Sequence, residues 1–201
     1  MSGVRRTALT VLVLAAVLLL GLACSLKRPD TIPGRMLEPQ LLEPQMPEPA
    51  RSGAGPASAA PIRLLDTQAR GHIGRRMLRQ EPSGELIEDS VWRWSTAPDR
   101  YLDTALRLEL ASSPALRLVD SASAPSLATT LLVWHLETAS ATQLVGAVEF
   151  EFTGTDRVVH THVVRGREPV SGELPGDLPA AAGRLLRRLA LEGLTRVASD
   201  R

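Results

Sequence analysis

Residues 132–165 read LVWHLETASATQLVGAVEFEFTGTDRVVHTHVVR, and this stretch decides the fold. Leu132, Trp134 and Leu136 alternate with Val133, His135 and Glu137; then Leu144, Gly146, Val148, Phe150 and Phe152 alternate with residues that include Glu149 and Glu151. Strand side chains repeat every second residue, so both runs predict strands with one face turned to a core. Thr153-Gly154-Thr155-Asp156 has turn chemistry, and Arg157–Arg165 follows as a third strand, with Val159, Thr161 and Val163 on one side and His160 and His162 on the other. The short turn makes the last two strands a hairpin.

Upstream, Ile62–Thr67 and Leu86–Trp94 have strand character, Ile73–Arg79 has less of it, and Ala115–Val119 is short and bounded by Pro114 and Asp120. Two helices carry clearer signals. Thr96 suits an N-cap, and Pro98 falls in the first turn, where a missing N–H matters little. Tyr101, Leu102, Ala105, Leu106 and Leu110 form an apolar stripe that stops at Ser112-Ser113-Pro114. The second helix runs from near Asp177 to about Ala198, with Leu178, Ala182, Leu185, Leu186, Leu189 and Val197 inward, opposite Arg184, Arg187, Arg188 and Arg196. The order of elements predicts an α+β fold, an antiparallel or mixed sheet with two amphipathic helices packed on one face.

The chain begins in another style. Arg5 and Arg6 precede an apolar run from Ala8 to Leu20, and Gly21-Leu22-Ala23 lead to Cys24. That is the layout of a secretory signal peptide, and the run is short beside the roughly 20 apolar residues of a membrane span. Leu22-Ala23-Cys24 resembles the lipobox of bacterial lipoproteins, whose cysteine is lipidated and becomes the mature N-terminus; Gly21 departs from the usual leucine. Cys24 is the only cysteine, so it has no disulfide partner within the chain, and acylation accounts for an unpaired thiol in an exported protein. The modification implied by this resemblance carries several acyl chains, palmitate among them, which hold far better than one. Ser25 follows where Asp would favour inner-membrane retention in Gram-negative sorting, so the resemblance implies an outer-membrane lipoprotein facing the periplasm.

Residues 1–23 are therefore read as a signal peptide, 24–60 as the lipidated cysteine with a Pro-rich tether, and 61–201 as the folded domain. Within the tether, Met36-Leu37-Glu38-Pro39-Gln40 repeats as Leu41-Leu42-Glu43-Pro44-Gln45 and, degenerately, as Met46-Pro47-Glu48-Pro49. Proline fixes its own φ and restricts its neighbour, so an extended or disordered spacer is expected, spanning about 100 Å as polyproline II and about 35 Å as a coil. The repeats could instead be a docking motif for a periplasmic partner.

Charge and motifs exclude other classes. Net charge is +1, so no basic field draws in nucleic acid. The sequence has no G-x-S-x-G, no H-E-x-x-H and no glycine-rich phosphate loop followed by Lys, so an enzyme is not expected.

Trp92-Arg93-Trp94, Pro98, Tyr101-Leu102, Ala105-Leu106 and Leu116-Arg117-Leu118-Val119, in that order, resemble the auxiliary lipoprotein family of ABC-type transport systems. The likeness spans roughly residues 61–199 and rests on pattern and order; Ile62–Asp66 and the acidic stretch Gln80–Ser90 depart from it. The resemblance implies a non-catalytic component of a lipid-transport machine. Its implied partners are an MCE-type periplasmic protein and the ABC transporter complex, with the membrane met through the lipid anchor, no cofactor, and a homo-oligomer among the arrangements. The alternative is an envelope-assembly or cell-wall-synthase regulatory lipoprotein, since a small domain on a tether suits that task equally.

Three sets of side chains are candidate sites. His160 and His162 share a strand face, and with Glu149, Glu151, His135 and Glu137 on the same outer face they could bind zinc. The simpler reading is cross-strand pairing on a solvated surface, worth a fraction of a kcal/mol per pair. Trp92 could contact lipid, or cap the core with Trp94. Arg184, Arg187 and Arg188 could meet headgroups or an acidic partner, or be a solvated helix face.

Overall fold

The computed structural model describes residues 34–41, 59–138, 141–172 and 174–200. Its elements in chain order are β1 (Arg35–Leu37), β2 (Ala60–Leu64), β3 (Gln68–Ala69), β4 (Arg76–Gln80), β5 (Leu86–Trp94), α1 (Pro98–Ser112), β6 (Leu116–Leu118), β7 (Ser126–Glu137), β8 (Gln143–Thr153), β9 (Val159–Pro169) and α2 (Leu178–Ser199).

Strand β7 is the spine of a mixed sheet. One edge pairs antiparallel with β8 along its whole length, and β8 pairs antiparallel with β9. The other edge takes β2, β3 and β4 in succession, all parallel to it, as the chain from Ala60 to Gln80 runs alongside. Strand β6 extends the sheet beyond β2, and β5 followed by β1 extends it beyond β4. Both helices lie on one face, α2 over β8 and β9, α1 against β6, β7 and α2. This is the expected α+β architecture.

Packing explains the fit of α2. Its inward residues Leu178, Ala182, Leu185, Leu186, Leu189 and Val197 are all buried. Gly193 lies flat on Phe150: a Cβ there would stand 2.1 Å from the ring's Cζ. The helix thus approaches the sheet closely enough to bury Phe150 completely.

Four details differ from the sequence reading. The register of β7 shifts between Leu131 and Val133, so Leu131, not Leu132, joins Trp134 and Leu136 in the core; a bulge inserts a residue and reverses the alternation. Helix α1 is capped by Ala97, without a side-chain bond, while the Thr96 N–H donates to the Tyr101 hydroxyl at 3.1 Å.

The third difference concerns faces. His160 and His162 stand opposite Phe152 and Phe150 in the β8–β9 register, so they lie on the helix-covered side; Val159, Thr161 and Val163 are the exposed ones. The fourth concerns the tether. Part of it, Arg35–Leu41, belongs to the domain, with Leu37 and Pro39 buried and β1 pairing in parallel with β5. The spacer reading does not hold for Arg35–Leu37 because these three residues include no proline and can pair along β5, while Pro39 follows the strand and is buried outside the ladder.

Candidate functional site

The edge of β5 is covered by the chain's own residues 35–41, held by main-chain and side-chain bonds. The Leu37 carbonyl accepts the Ser95 N–H at 2.8 Å, and the Gln40 N–H donates to the Pro179 carbonyl at the start of α2 at 2.9 Å. Glu38 accepts hydrogen bonds from the Tyr101 hydroxyl, at 2.9 Å, and from the Ser95 hydroxyl. Burial pushes the Tyr101 hydroxyl above its ordinary pKa, so it remains a donor at neutral pH. Gly183 on α2 makes room for the peptide: a Cβ there would stand 1.9 Å from the Gln40 oxygen. At the outer end the Arg35 guanidinium sits 5.4 Å from the centre of the Trp92 ring.

Trp92 and Trp94 therefore divide their labour. Trp94 is buried against Trp134, with ring centres 5.8 Å apart. Trp92 is half-buried and covered by Arg35, so little of its ring is free for lipid.

The arginines of α2 form a rim of ion pairs. Arg184 meets Glu168 at 2.6 Å and Asp177 at 3.3 Å, Arg187 meets Glu109 of α1 at 2.9 Å, and Arg188 meets Glu168 at 3.0 Å. Glu168 is nearly buried beneath two guanidiniums. Their charges are spent locally, which weakens them as receptors for free anions. Two shallow grooves, of about 260 and 270 Å³, flank the Arg187–Glu109 pair, and Leu191, 56% exposed, lines both.

The histidines do not assemble with the carboxylates expected beside them. Glu149 and Glu151 pair with Val163 and Thr161, on the other face of β9's sheet. His162 Nε2 instead contacts the carboxylate of Asp200 just past the end of α2, and His160 Nδ1 lies 4.0 Å from it. Among the described residues no group of three His, Cys, Asp or Glu is arranged to hold a metal ion. His135 lies on the open face, where burial chiefly, with Arg167 and His72 assisting, holds its pKa below the usual histidine value.

Sequence reasoning missed the β5 edge. The available signal was Leu37-Glu38-Pro39-Gln40 itself, an apolar and an acidic residue recurring within a proline-rich run. Cys24 lies outside the described residues. Among the described residues no helix is long and apolar enough to cross a membrane.

Solved structures share this fold. Protein XCC0632 from Xanthomonas campestris, of the family DUF330, aligns with a TM-score of 0.64 and 17% identity, over 83% of this chain and 97% of that one. An uncharacterized protein aligns at 0.55 with 12% identity, over 74% and 97%. Hypothetical protein CT253 from Chlamydia trachomatis aligns at 0.50 with 14% identity, over 70% and 96%. At these identities the likeness is one of fold. No protein-family model matches the sequence, and no curated protein does.

Proposed function

We propose that this chain is a lipid-anchored, non-catalytic auxiliary component of an ABC/MCE-type transport system that moves lipids across the cell envelope. In this reading Cys24 holds it at the outer membrane, facing the periplasm. The observation that carries the proposal is a lipobox-like Leu22-Ala23-Cys24 placed ahead of a domain whose residues 61–199 resemble the ABC-type auxiliary lipoproteins. The fold shared with the DUF330 protein supports the α+β part of this reading.

The geometry suits a body that binds proteins. Its two described grooves are shallow and open, and its arginines are locked in ion pairs. An exposed leucine framed by such pairs is the pattern of a small apolar anchor inside a polar rim. The partner-facing surface is therefore assigned to Leu191 with Arg187 and Glu109.

Two measurements on the native protein test the reading. Mass spectrometry of the chain isolated from membranes should show Cys24 as the N-terminal residue with attached diacylglycerol and an amide-linked acyl group. Purification of the tagged chain in mild detergent should bring an MCE-type protein with it. A free thiol at Cys24, or retention of Met1, would refute the anchor; co-purification with a cell-wall synthase would replace transport by the regulatory alternative.

A further inference from the structure

The edge of β5 accepts one extended peptide, and the sequence contains a second peptide that meets the same demands. The seat asks for a buried leucine, at Leu37; a carboxylate for Tyr101 and Ser95, at Glu38; a buried proline, at Pro39; and a main-chain N–H for Pro179, at Gln40. Leu42, Glu43, Pro44 and Gln45 repeat these in the same order. Gly183 leaves space for a carbonyl oxygen, which every peptide brings. Leu41, which packs on the core past the first unit, has its counterpart in Met46.

We propose that this seat takes the second unit, Leu41-Leu42-Glu43-Pro44-Gln45, in exchange for the first, so that the chain docks on its own domain in two registers five residues apart. The first register predominates, because it keeps Arg35 over Trp92 where the second would bring Gln40. The third unit does not compete, since Pro47 stands where the seat buries a leucine. In the second register the link to β2 shortens to residues 47–59, which still reach about 40 Å when extended, comparable with the width of a domain this size. The segment before the seat lengthens by about 16 Å of extended chain. Where Cys24 is lipidated, a consequence that rests on the reading above, this sets two distances between domain and bilayer. Main-chain pairing at a sheet edge tolerates such exchange, because register there is decided by few side chains.

Thermal unfolding and hydrogen exchange of the full chain test the exchange without reference to lipid or partner. Leu42→Asp should leave the unfolding midpoint unchanged. Leu37→Asp should lower protection of the Ser95 amide by no more than about tenfold and raise protection across residues 41–45, whereas Leu37→Asp with Leu42→Asp should lower it by about a hundredfold or more. Deletion of residues 36–40, which puts the second unit directly after Arg35, should keep the wild-type midpoint and Ser95 protection; it remains informative if the double variant does not fold. Loss of Ser95 protection in the deletion, or a Leu37→Asp variant as open as the double variant, overturns the proposal. A concentration-dependent dimer in Leu37→Asp, with the seat filled by another copy, overturns it as well.

Discussion

The Tyr101 hydroxyl donates a 2.9 Å hydrogen bond to Glu38 across 63 residues of sequence. That bond ties the amino-terminal strand to the entry of α1, and the same oxygen accepts the Thr96 N–H. Tyr101→Phe removes the donor and leaves Glu38 with Ser95 alone. Net loss of such bonds is about 1–2 kcal/mol, or a fall of about 2–8 °C in Tm, read by calorimetry. Hydrogen exchange at Ser95 should accelerate in the same variant, since β1 is held from both ends. Unchanged Ser95 exchange would mean that β1 docks by Leu37 burial alone.

Gly193→Ala tests the contact between α2 and the sheet. The added carbon would stand 2.1 Å from Phe150 Cζ, and the ring, fully buried, has nowhere to retreat. Overpacking of this kind costs about 1–3 kcal/mol despite alanine's better helix propensity. Phe150→Leu combined with Gly193→Ala should recover part of the loss in a double-mutant cycle. Simple additivity of the two variants would show that the clash is relieved elsewhere.

His135 makes stability depend on pH. Its folded pKa lies below the ordinary value of about 6.5, so the unfolded chain takes up the proton first as pH falls. Its contribution is therefore fully present above that value and declines as pH drops from it toward the folded pKa. Urea midpoints measured at pH 7.5 and 5.5 should fall more in the wild type than in His135→Gln. Equal falls would assign the acid sensitivity to other groups.

Leu191→Glu separates binding from folding. The side chain is 56% exposed and lines both grooves, so Tm should change by only about 1–2 °C. Recovery of an MCE-type partner in pull-downs should drop severalfold. A variant that retains full recovery would move the partner surface away from α2.

Much of the fold was legible because periodicity survives in a single sequence. Phe150 and Phe152 alternate with glutamates, and the α2 stripe repeats at helical spacing, so strand, hairpin and helix could be read without knowing what covered them. Alternation states which residues share a face, but it does not state which face is buried. Valine outranks histidine in hydrophobicity, so Val163 is the residue expected inside; the structure buries Val164 instead, which puts His162 on the same inward face, where Asp200 at the end of α2 meets it. The bulge after Leu131 is likewise settled by the fit of β7 to its partner.

The candidate site divides in the same way. The lipobox-like end at Cys24 and the repeat of Leu-Glu-Pro-Gln are properties of covalent order, and the sequence alone determined them. That Met36 and Leu37 of the first repeat join a strand, with Leu37 buried and Glu38 bonded to Tyr101, was decided by tertiary structure. A short proline-rich segment has no conformation strong enough to declare itself; it takes the one that an open edge, a waiting hydroxyl and a glycine-sized gap in a helix impose.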